Sequence, residues 1–142
     1  MTKRTSSFAG LDDFIEVFRS GTHTSSTGDS REWTDAELDQ MVVNHSADQA
    51  APIVLGHPTD DAPAYGWVAS LKRVGNTLLA KFKDVAPEFA EAVKAGRFRN
   101  RSIKVLKTDA GFTVAHVGWL GAALPAVKGL KPVSFATDLP SD

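Results

Sequence analysis

Short alternating segments separated by tight turns constrain the fold of this chain more than any other feature. Residues 64–74 and 77–83 alternate apolar and polar side chains with period two, and Gly75-Asn76 between them is a two-residue hairpin signal. Because so short a connection joins antiparallel neighbours, these segments predict a β-hairpin. The same reasoning predicts a second hairpin, at 102–107 with 112–120, and further strands are predicted at 52–56 and 131–136. At 13–19 the apolar residues fit one face of a helix as well as a strand, and we favour the strand.

Two helices are predicted from their end signals. Thr34-Asp35-Ala36-Glu37 is a capping box followed by apolar residues at helical spacing, which predicts a helix over 35–45. Pro87 near its start and Gly96 at its end delimit a second helix over 87–95. Residues 20–31 are rich in Ser, Thr and Gly and are predicted to be a loop. Since no βαβ alternation is visible, the pattern favours a mainly β (α+β) fold: an antiparallel sheet, or a barrel of about six or seven strands, with helices packed on it.

The composition narrows the class of protein. The 142 residues are enough for one domain, which we place at 13–136 between a flexible leader, 1–12, and a polar tail, 137–142. The absence of cysteine rules out disulfides, a thiol nucleophile and cysteine-based zinc sites. With a net charge of −1, the chain lacks the positive electrostatic field of most nucleic-acid-binding proteins. No apolar run approaches the roughly 20 residues that span a bilayer. We therefore expect a cytosolic protein with no nucleic-acid or membrane partner.

A pairing argument brings Ser102 and His116 together. If the second hairpin has a three-residue loop, Asp109-Ala110-Gly111, then Lys104 faces His116 and Ser102 faces Gly118. Ser102 and His116 then lie on one face as diagonal neighbours, roughly 7–8 Å apart, and the glycine leaves space for a substrate. A two-residue loop would place the two side chains on opposite faces. A serine with a histidine nearby is a base-assisted nucleophile.

His57 is the third candidate. It follows an apolar strand in Gly56-His57-Pro58, where the glycine allows a turn and the proline stiffens the exit, so its imidazole would lie at the rim of a sheet. The alternative is a turn histidine with no function. One histidine can orient another and stabilise its cation, which is the role of the aspartate in a Ser-His-Asp triad. A neutral histidine does this less well than a carboxylate, so a Ser-His-His site predicts a slower catalyst.

Other histidine sites compete with this interpretation. A metal site could use His57 with Asp60 or Asp61, and His23 as a further ligand, although no H-x-x-x-H pattern occurs. His45 ends the first predicted helix, where a cationic side chain complements the helix dipole, so we interpret it as structural.

A short basic stretch precedes Ser102. It contains Arg97, Arg99 and Arg101 together with Phe98. In a slightly acidic chain, three arginines are more typical of a solvated turn or a protein-binding edge than of a nucleic-acid site.

The ordered set of motifs resembles a known family. The motifs are Gly56-His57-Pro58, Ala62-Pro63-Ala64-Tyr65-Gly66-Trp67-Val68, Pro87-Glu88-Phe89, Gly96-Arg97-Phe98-Arg99-Asn100-Arg101-Ser102, His116-Val117-Gly118-Trp119-Leu120-Gly121 and Pro125-Ala126-Val127-Lys128-Gly129-Leu130, and the likeness as a whole runs from about Ile15 to Leu130. In this order they resemble the Mu-like phage I proteins, which are head-maturation proteases, and more widely the phage prohead proteases and herpesvirus assemblins. The resemblance implies a Ser nucleophile and a His base on an antiparallel β-barrel ringed by a few helices.

The resemblance also implies roles for individual residues. The family order of His, Ser and a third member falls on His57, Ser102 and His116; the assemblin-type third member is His, whereas some prohead proteases carry Glu there. Family members stabilise the oxyanion with backbone amides, which points to the loop 121–124. No cofactor and no metal are implied.

The implied function is that of a serine endopeptidase of phage head assembly. Its substrates would be the internal scaffold, the enzyme itself and the major capsid protein, and a homodimer is a further expected assembly. It would act in the host bacterial cytoplasm, inside the prohead. Because relatives carry scaffold sequence after the block that ends at Leu130, the tail at 137–142 is expected to begin a linker to such a segment. The alternatives are a non-catalytic scaffold or assembly module of the phage head and a metallohydrolase.

Overall fold

The structure, a computed structural model, describes residues 13–24, 30–56, 58, 61–121 and 130. Within these residues eight strands form: β1 (Ile15–Arg19), β2 (Gly21–Thr24), β3 (Ser30–Trp33), β4 (Ile53–Leu55), β5 (Trp67–Val74), β6 (Thr77–Lys83), β7 (Asn100–Thr108) and β8 (Gly111–Leu120). The predicted leader, the strand at 131–136 and the tail lie outside the described residues. None of the described helices has the length and apolarity needed to cross a bilayer.

Two α-helices and one 3-10 turn accompany these strands: α1 (Asp35–Asn44), α2 (Pro87–Lys94) and the turn Ala47–Gln49. The predicted capping box of α1 is confirmed, since Thr34 accepts a hydrogen bond from the Glu37 amide and the Glu37 carboxylate accepts one from the Thr34 amide. Helix α2 begins with its proline in the first turn and ends beside Gly96, whose φ is +84°. His45 is the C-cap of α1, and its Nε2 donates to the Ala69 carbonyl oxygen at 3.3 Å, which is a structural role.

The described strands form three separate sheets. Their orders are β1-β6-β5, β2-β3 and β4-β8-β7. The hairpin of β5 and β6 is confirmed, with Val74 paired to Thr77 across a turn in which Gly75 has a φ of +60°. The fold is mainly β with helices, as predicted, but the described sheets do not close into a barrel. The prediction of an all-antiparallel arrangement is also wrong, because β4 runs parallel to β8. A parallel pair needs a long crossover, so no local turn signal marks it in the sequence.

The prediction that residues 20–31 form a loop is wrong at both ends of that range. Gly21–Thr24 and Ser30–Trp33 pair as a hairpin, in which the hydroxyls of Thr24 and Ser30 lie 2.7 Å apart. One end of the hairpin is held by aromatic packing, since the Trp33 ring meets the rings of Phe18 and Phe112 edge to face at 5.5 and 5.0 Å. Long-range packing of one aromatic residue therefore overrides a polar composition that is typical of loops.

The core lies where the two three-stranded sheets and both helices meet. It is one cluster of apolar side chains to which β1, β4, β5, β6, β8, α1 and α2 all contribute. Trp119 of β8 is fully buried, and its ring packs edge to face against Phe82 and Phe89, with centroids 6.2 and 5.4 Å away. Burial of a side chain of this size stabilises a fold by about 2–3 kcal/mol, so β8 is anchored firmly.

Candidate functional site

The site hairpin consists of β7 and β8, which carry two of the predicted catalytic residues. Its turn is shorter than predicted, because Thr108 pairs with Gly111 and only Asp109 and Ala110 lie between them. The predicted three-residue loop is therefore wrong. With a regular ladder, a two-residue turn would place Ser102 and His116 on opposite faces.

A β-bulge in β8 shifts the pairing of β7 with β8 by one residue between the turn and Ser102. Val105 pairs with Val114, whereas Lys104 pairs with His116, so Ala115 is the extra residue. Beyond the bulge, Ser102 pairs with Gly118, as the sequence argument predicted from a different loop. Ser102 and His116 consequently share one face as diagonal neighbours, at the roughly 7–8 Å separation of such pairs. Bulges re-aim side chains next to active sites in many sheets.

The environment of this pair differs between the two strands. His116 is only 8 % exposed and Gly118 is buried, whereas Ser102 on the outer strand is half-buried and Lys104 is exposed. Since glycine has no side chain, the position facing Ser102 contributes only backbone. The hydroxyl of Ser102 and the shielded imidazole of His116 therefore lie on neighbouring strands of one sheet face, with only backbone opposite the serine.

Strand β4 brings a third segment to the same sheet. It runs beside β8 with Val54 paired to Gly118, and the Gly56 amide that follows it donates to the Trp119 carbonyl oxygen at 3.0 Å. Gly56 has a φ of +67°, and a Cβ at this position would meet no atom within 4 Å, so backbone conformation rather than space requires glycine there. Gly56 therefore has the positive φ that the predicted turn requires. His57, the next residue, lies outside the described residues, and its role as general base stays a prediction.

Arg101 anchors β7 from the core side of the sheet. It is 2 % exposed, and its guanidinium donates to the Glu16 carbonyl oxygen through Nε at 3.1 Å and through a terminal nitrogen at 2.7 Å. Its Cζ also lies 5.6 Å from the centroid of the Trp119 ring. Burial lowers the pKa of Arg101 to about 10, so the group still carries its charge at neutral pH.

This position corrects the interpretation of the basic stretch. Arg97 and Arg99 are exposed, but Arg101 is not part of a solvated turn or a protein-binding edge. It alternates with Ser102 along β7, on the face shared with Ile103 and Val105, which pack against the core. The alternation of residues 101, 103 and 105 along the strand indicates that Arg101 shares the inward face. Its charge suggested exposure instead.

Helix α1 fixes the far end of the site hairpin, a feature that the sequence analysis missed. Asn44 donates through its side-chain nitrogen to the carbonyl oxygens of Ala110 and Phe112, at 3.1 and 2.8 Å. Gln40 accepts a hydrogen bond from the Phe112 amide at 3.0 Å. These side-chain amides complete backbone hydrogen bonds at the hairpin tip, so the register of the ladder is constrained from both ends.

The described residues contain no cluster of metal-ligating side chains that would support the alternative metal site. No three His, Asp or Glu side chains lie close enough together there to hold a metal ion. His23, the suggested further ligand, donates from Nε2 to the Arg19 carbonyl oxygen at 2.7 Å, and Asp61 is exposed. His57 and Asp60 lie outside the part of the chain that the structure describes.

Comparison with known proteins supports the fold class. No protein-family model matches the chain, and no curated protein matches it by sequence. The fold is similar to that of the protease of Kaposi's sarcoma-associated herpesvirus, in a room-temperature crystal structure with an allosteric inhibitor. The TM-score is 0.50 at 13 % identity, over 84 % of this chain and 74 % of that chain. At this identity the likeness concerns the fold alone.

Proposed function

We propose that this chain is a serine endopeptidase of phage head maturation, with Ser102 as nucleophile, His57 as general base and His116 as the residue that orients His57. The observation that carries the proposal is the register of β7 and β8, which places Ser102 and His116 on one face with Gly118 opposite the serine. The herpesvirus-protease-like fold supports the reaction class. The resemblance of the motifs to Mu-like I proteins supports the phage context.

The proposed reaction is acyl transfer in two stages. The Ser102 Oγ forms a bond to the scissile carbonyl carbon while its proton passes to His57. Collapse of the tetrahedral intermediate breaks the C–N bond, and His57 gives the proton to the leaving amine. Water then attacks the acyl-enzyme with the same histidine as base, which restores Ser102 and releases the acid product. His116 holds His57 in the productive orientation and stabilises its cation.

The proposed substrates are the internal scaffold, the chain itself and the major capsid protein, inside the prohead in the host cytoplasm. A Ser-His-His site suits this task, because each molecule has few bonds to cut and early cleavage would destroy the scaffold. A homodimer is part of the same proposal. The rival function is a folded assembly module in which these residues are structural, and the burial of His116 is compatible with it.

Co-expression with scaffold and capsid protein, followed by mass spectrometry of the products, tests the proposal. Ser102→Ala should reduce cleavage by about 10⁶-fold, and His116→Ala by about 10⁴-fold or less, because the other two residues and the oxyanion site remain. A matched control is Ser70→Ala, which removes a half-buried hydroxyl from β5 in the other sheet. The control should process scaffold at the wild-type rate.

A fluorophosphonate probe separates the enzyme from the assembly module. Labelling of the assembled protein at Ser102, absent in Ser102→Ala, is the expected result. Scaffold processing that survives Ser102→Ala would exclude this residue as nucleophile. A wild-type assembly that neither labels nor cleaves would favour the non-catalytic module.

A further inference from the structure

The outer face of the sheet β1-β6-β5 is cationic and is separate from the candidate active site. The ladder pairs Trp67 with Lys83, Ser70 with Lys81 and Lys72 with Leu79. The alternate pairs, such as Val68 with Phe82, point into the core. Lys72, Lys81 and Lys83 therefore lie on one exposed face, which we call the lysine face.

The three ammonium groups of the lysine face have no acidic partners in the part of the chain that the structure describes. No carboxylate there lies within salt-bridge distance of any of them. Lys72 and Lys81 instead lie over the ring of Phe14, at 4.1 and 5.9 Å from its centroid. Lys81 and Lys83 are two residues apart on one strand, about 7 Å, and Lys72 is a diagonal neighbour of Lys81 at a similar distance. Glu16 of β1 lies on the same face, in register with Leu79, and its carboxylate is 3.6 Å from the Arg19 guanidinium. The three lysines outnumber this carboxylate, so the face favours an anionic ligand.

Exposed apolar side chains border these lysines. Trp67 is 39 % exposed at one end of β5, and Val74 is 58 % exposed at the other. Leu79 and Phe14 are half-buried between the lysines. The face therefore combines three cations with apolar surface, and it extends over the length of an eight-residue strand.

We propose that the lysine face binds an extended acidic peptide segment whose carboxylates recur at every second position, with apolar residues at the flanking positions on the same side. In an extended peptide, side chains two residues apart point to one side about 7 Å apart, which matches the separation of Lys81 and Lys83. Carboxylates at that spacing would pair with the lysines. Apolar side chains that flank these carboxylates and point to the same side would cover Trp67 and Val74.

The same observations disfavour nucleic acid as the ligand. Nucleic-acid affinity grows with the number of phosphates that cations neutralise, whereas this face offers three exposed lysines on a chain of net charge −1. The Phe14 ring is already covered by Lys72, so it does not offer a stacking platform for bases. A short acidic peptide requires fewer charges and makes use of the apolar border.

Fluorescence anisotropy with the full chain carrying Ser102→Ala tests this proposal without cleavage of the probe. The probe is a fluorescein-labelled peptide in which every second position reads Leu, Glu, Glu, Glu and Leu with Ser or Thr between them, and its counterpart has Gln in place of Glu. We expect the Glu peptide to bind at low ionic strength, the Gln peptide to bind at least tenfold more weakly, and added salt to weaken the Glu peptide. The triple variant K72E/K81E/K83E should lose more than about tenfold in affinity.

The matched control is K94E/R97E/K107E, which changes three exposed basic residues on α2, the turn after it and β7 and shifts the net charge equally. This variant should bind the Glu peptide close to the affinity of its parent. Equal losses in both triple variants would overturn the proposal, because net charge alone would then explain binding. Tighter binding of a single-stranded oligothymidylate of the same charge, or no binding of the Glu peptide at millimolar concentration, would also overturn it. Since the serine is absent from every sample, these outcomes are independent of the proposed protease activity.

Discussion

We expect a single added methyl group at Gly111, at the tip of the site hairpin, to lower the stability of the fold through one identifiable contact. Its φ is +107°, and a Cβ built there would lie 2.5 Å from Gln40 Oε1 and 3.1 Å from Gln40 Cδ. The substitution Gly111→Ala therefore acts in two ways. It strains the backbone, and it displaces the Gln40 side chain, which accepts a hydrogen bond from the Phe112 amide.

The magnitude follows from these two contributions. A left-handed backbone costs an alanine about 1–2 kcal/mol. Gln40 is flexible and can move aside, but the Phe112 amide then loses its acceptor, which costs about 1 kcal/mol. We expect Gly111→Ala to lower the free energy of unfolding by about 2–3 kcal/mol. The smaller conformational entropy of an unfolded chain with alanine offsets part of this value.

Gly75→Ala in the β5–β6 turn is the matched control. Gly75 also has a positive φ, +60°, but a Cβ there meets no atom within 4 Å, so only the backbone term of about 1 kcal/mol applies. Urea unfolding followed by tryptophan fluorescence measures both variants. In a Gln40→Ala background, Gly111→Ala should cost about 1 kcal/mol less than in the wild type, because the acceptor is already gone. The reasoning is refuted if Gly111→Ala costs no more than Gly75→Ala, or if the Gln40→Ala background leaves its cost unchanged.

Two further predictions concern charged side chains. Hydrogen bonding and the ion pair with Arg31 lower the pKa of Glu37 below 4.5, so its ionised form stabilises the fold at pH values above 4.5, and this contribution is lost as the pH falls through the lowered pKa. Glu37→Gln keeps the cap but removes the charge, so urea unfolding should show it less stable than wild type at pH 7, by less than about 1 kcal/mol, with the difference vanishing in acid. A difference that grows on acidification would contradict this assignment. Arg101→Ala removes the donors to the Glu16 carbonyl and leaves a cavity, so it should lower the free energy of unfolding by about 2–4 kcal/mol, and a thermal melt within error of wild type would show that the guanidinium is not an anchor.

The sequence predicted the local elements well where a local signal specifies them. The capping box at Thr34 specified the start of α1, and Gly75 marked the turn between β5 and β6. The polar hairpin of β2 and β3 was missed, because its stability comes from Trp33 packing against Phe18 and Phe112 rather than from its own composition.

The candidate site also depends on features that local sequence signals do not mark. Ser102 opposite Gly118 was predicted from an incorrect loop length, and the agreement arises because the bulge at Ala115 adds the residue that the loop lacks. No turn signal marks that bulge. Arg101 was misread because charge usually predicts exposure, whereas here the backbone carbonyl of Glu16 accepts the buried guanidinium.

By itself, the sequence determined the mainly β class, the helix caps, the turns and the residue types available for chemistry, since each depends on neighbours within a few positions along the chain. Only the tertiary structure decided that β4 lies parallel to β8, that a bulge sets the faces of the site hairpin, and that α1 and Arg101 fix its two ends. These features depend on hydrogen bonds and packing between residues far apart in the chain. These interactions stabilise the fold only when both partners have come together, so no short segment of the sequence predicts them.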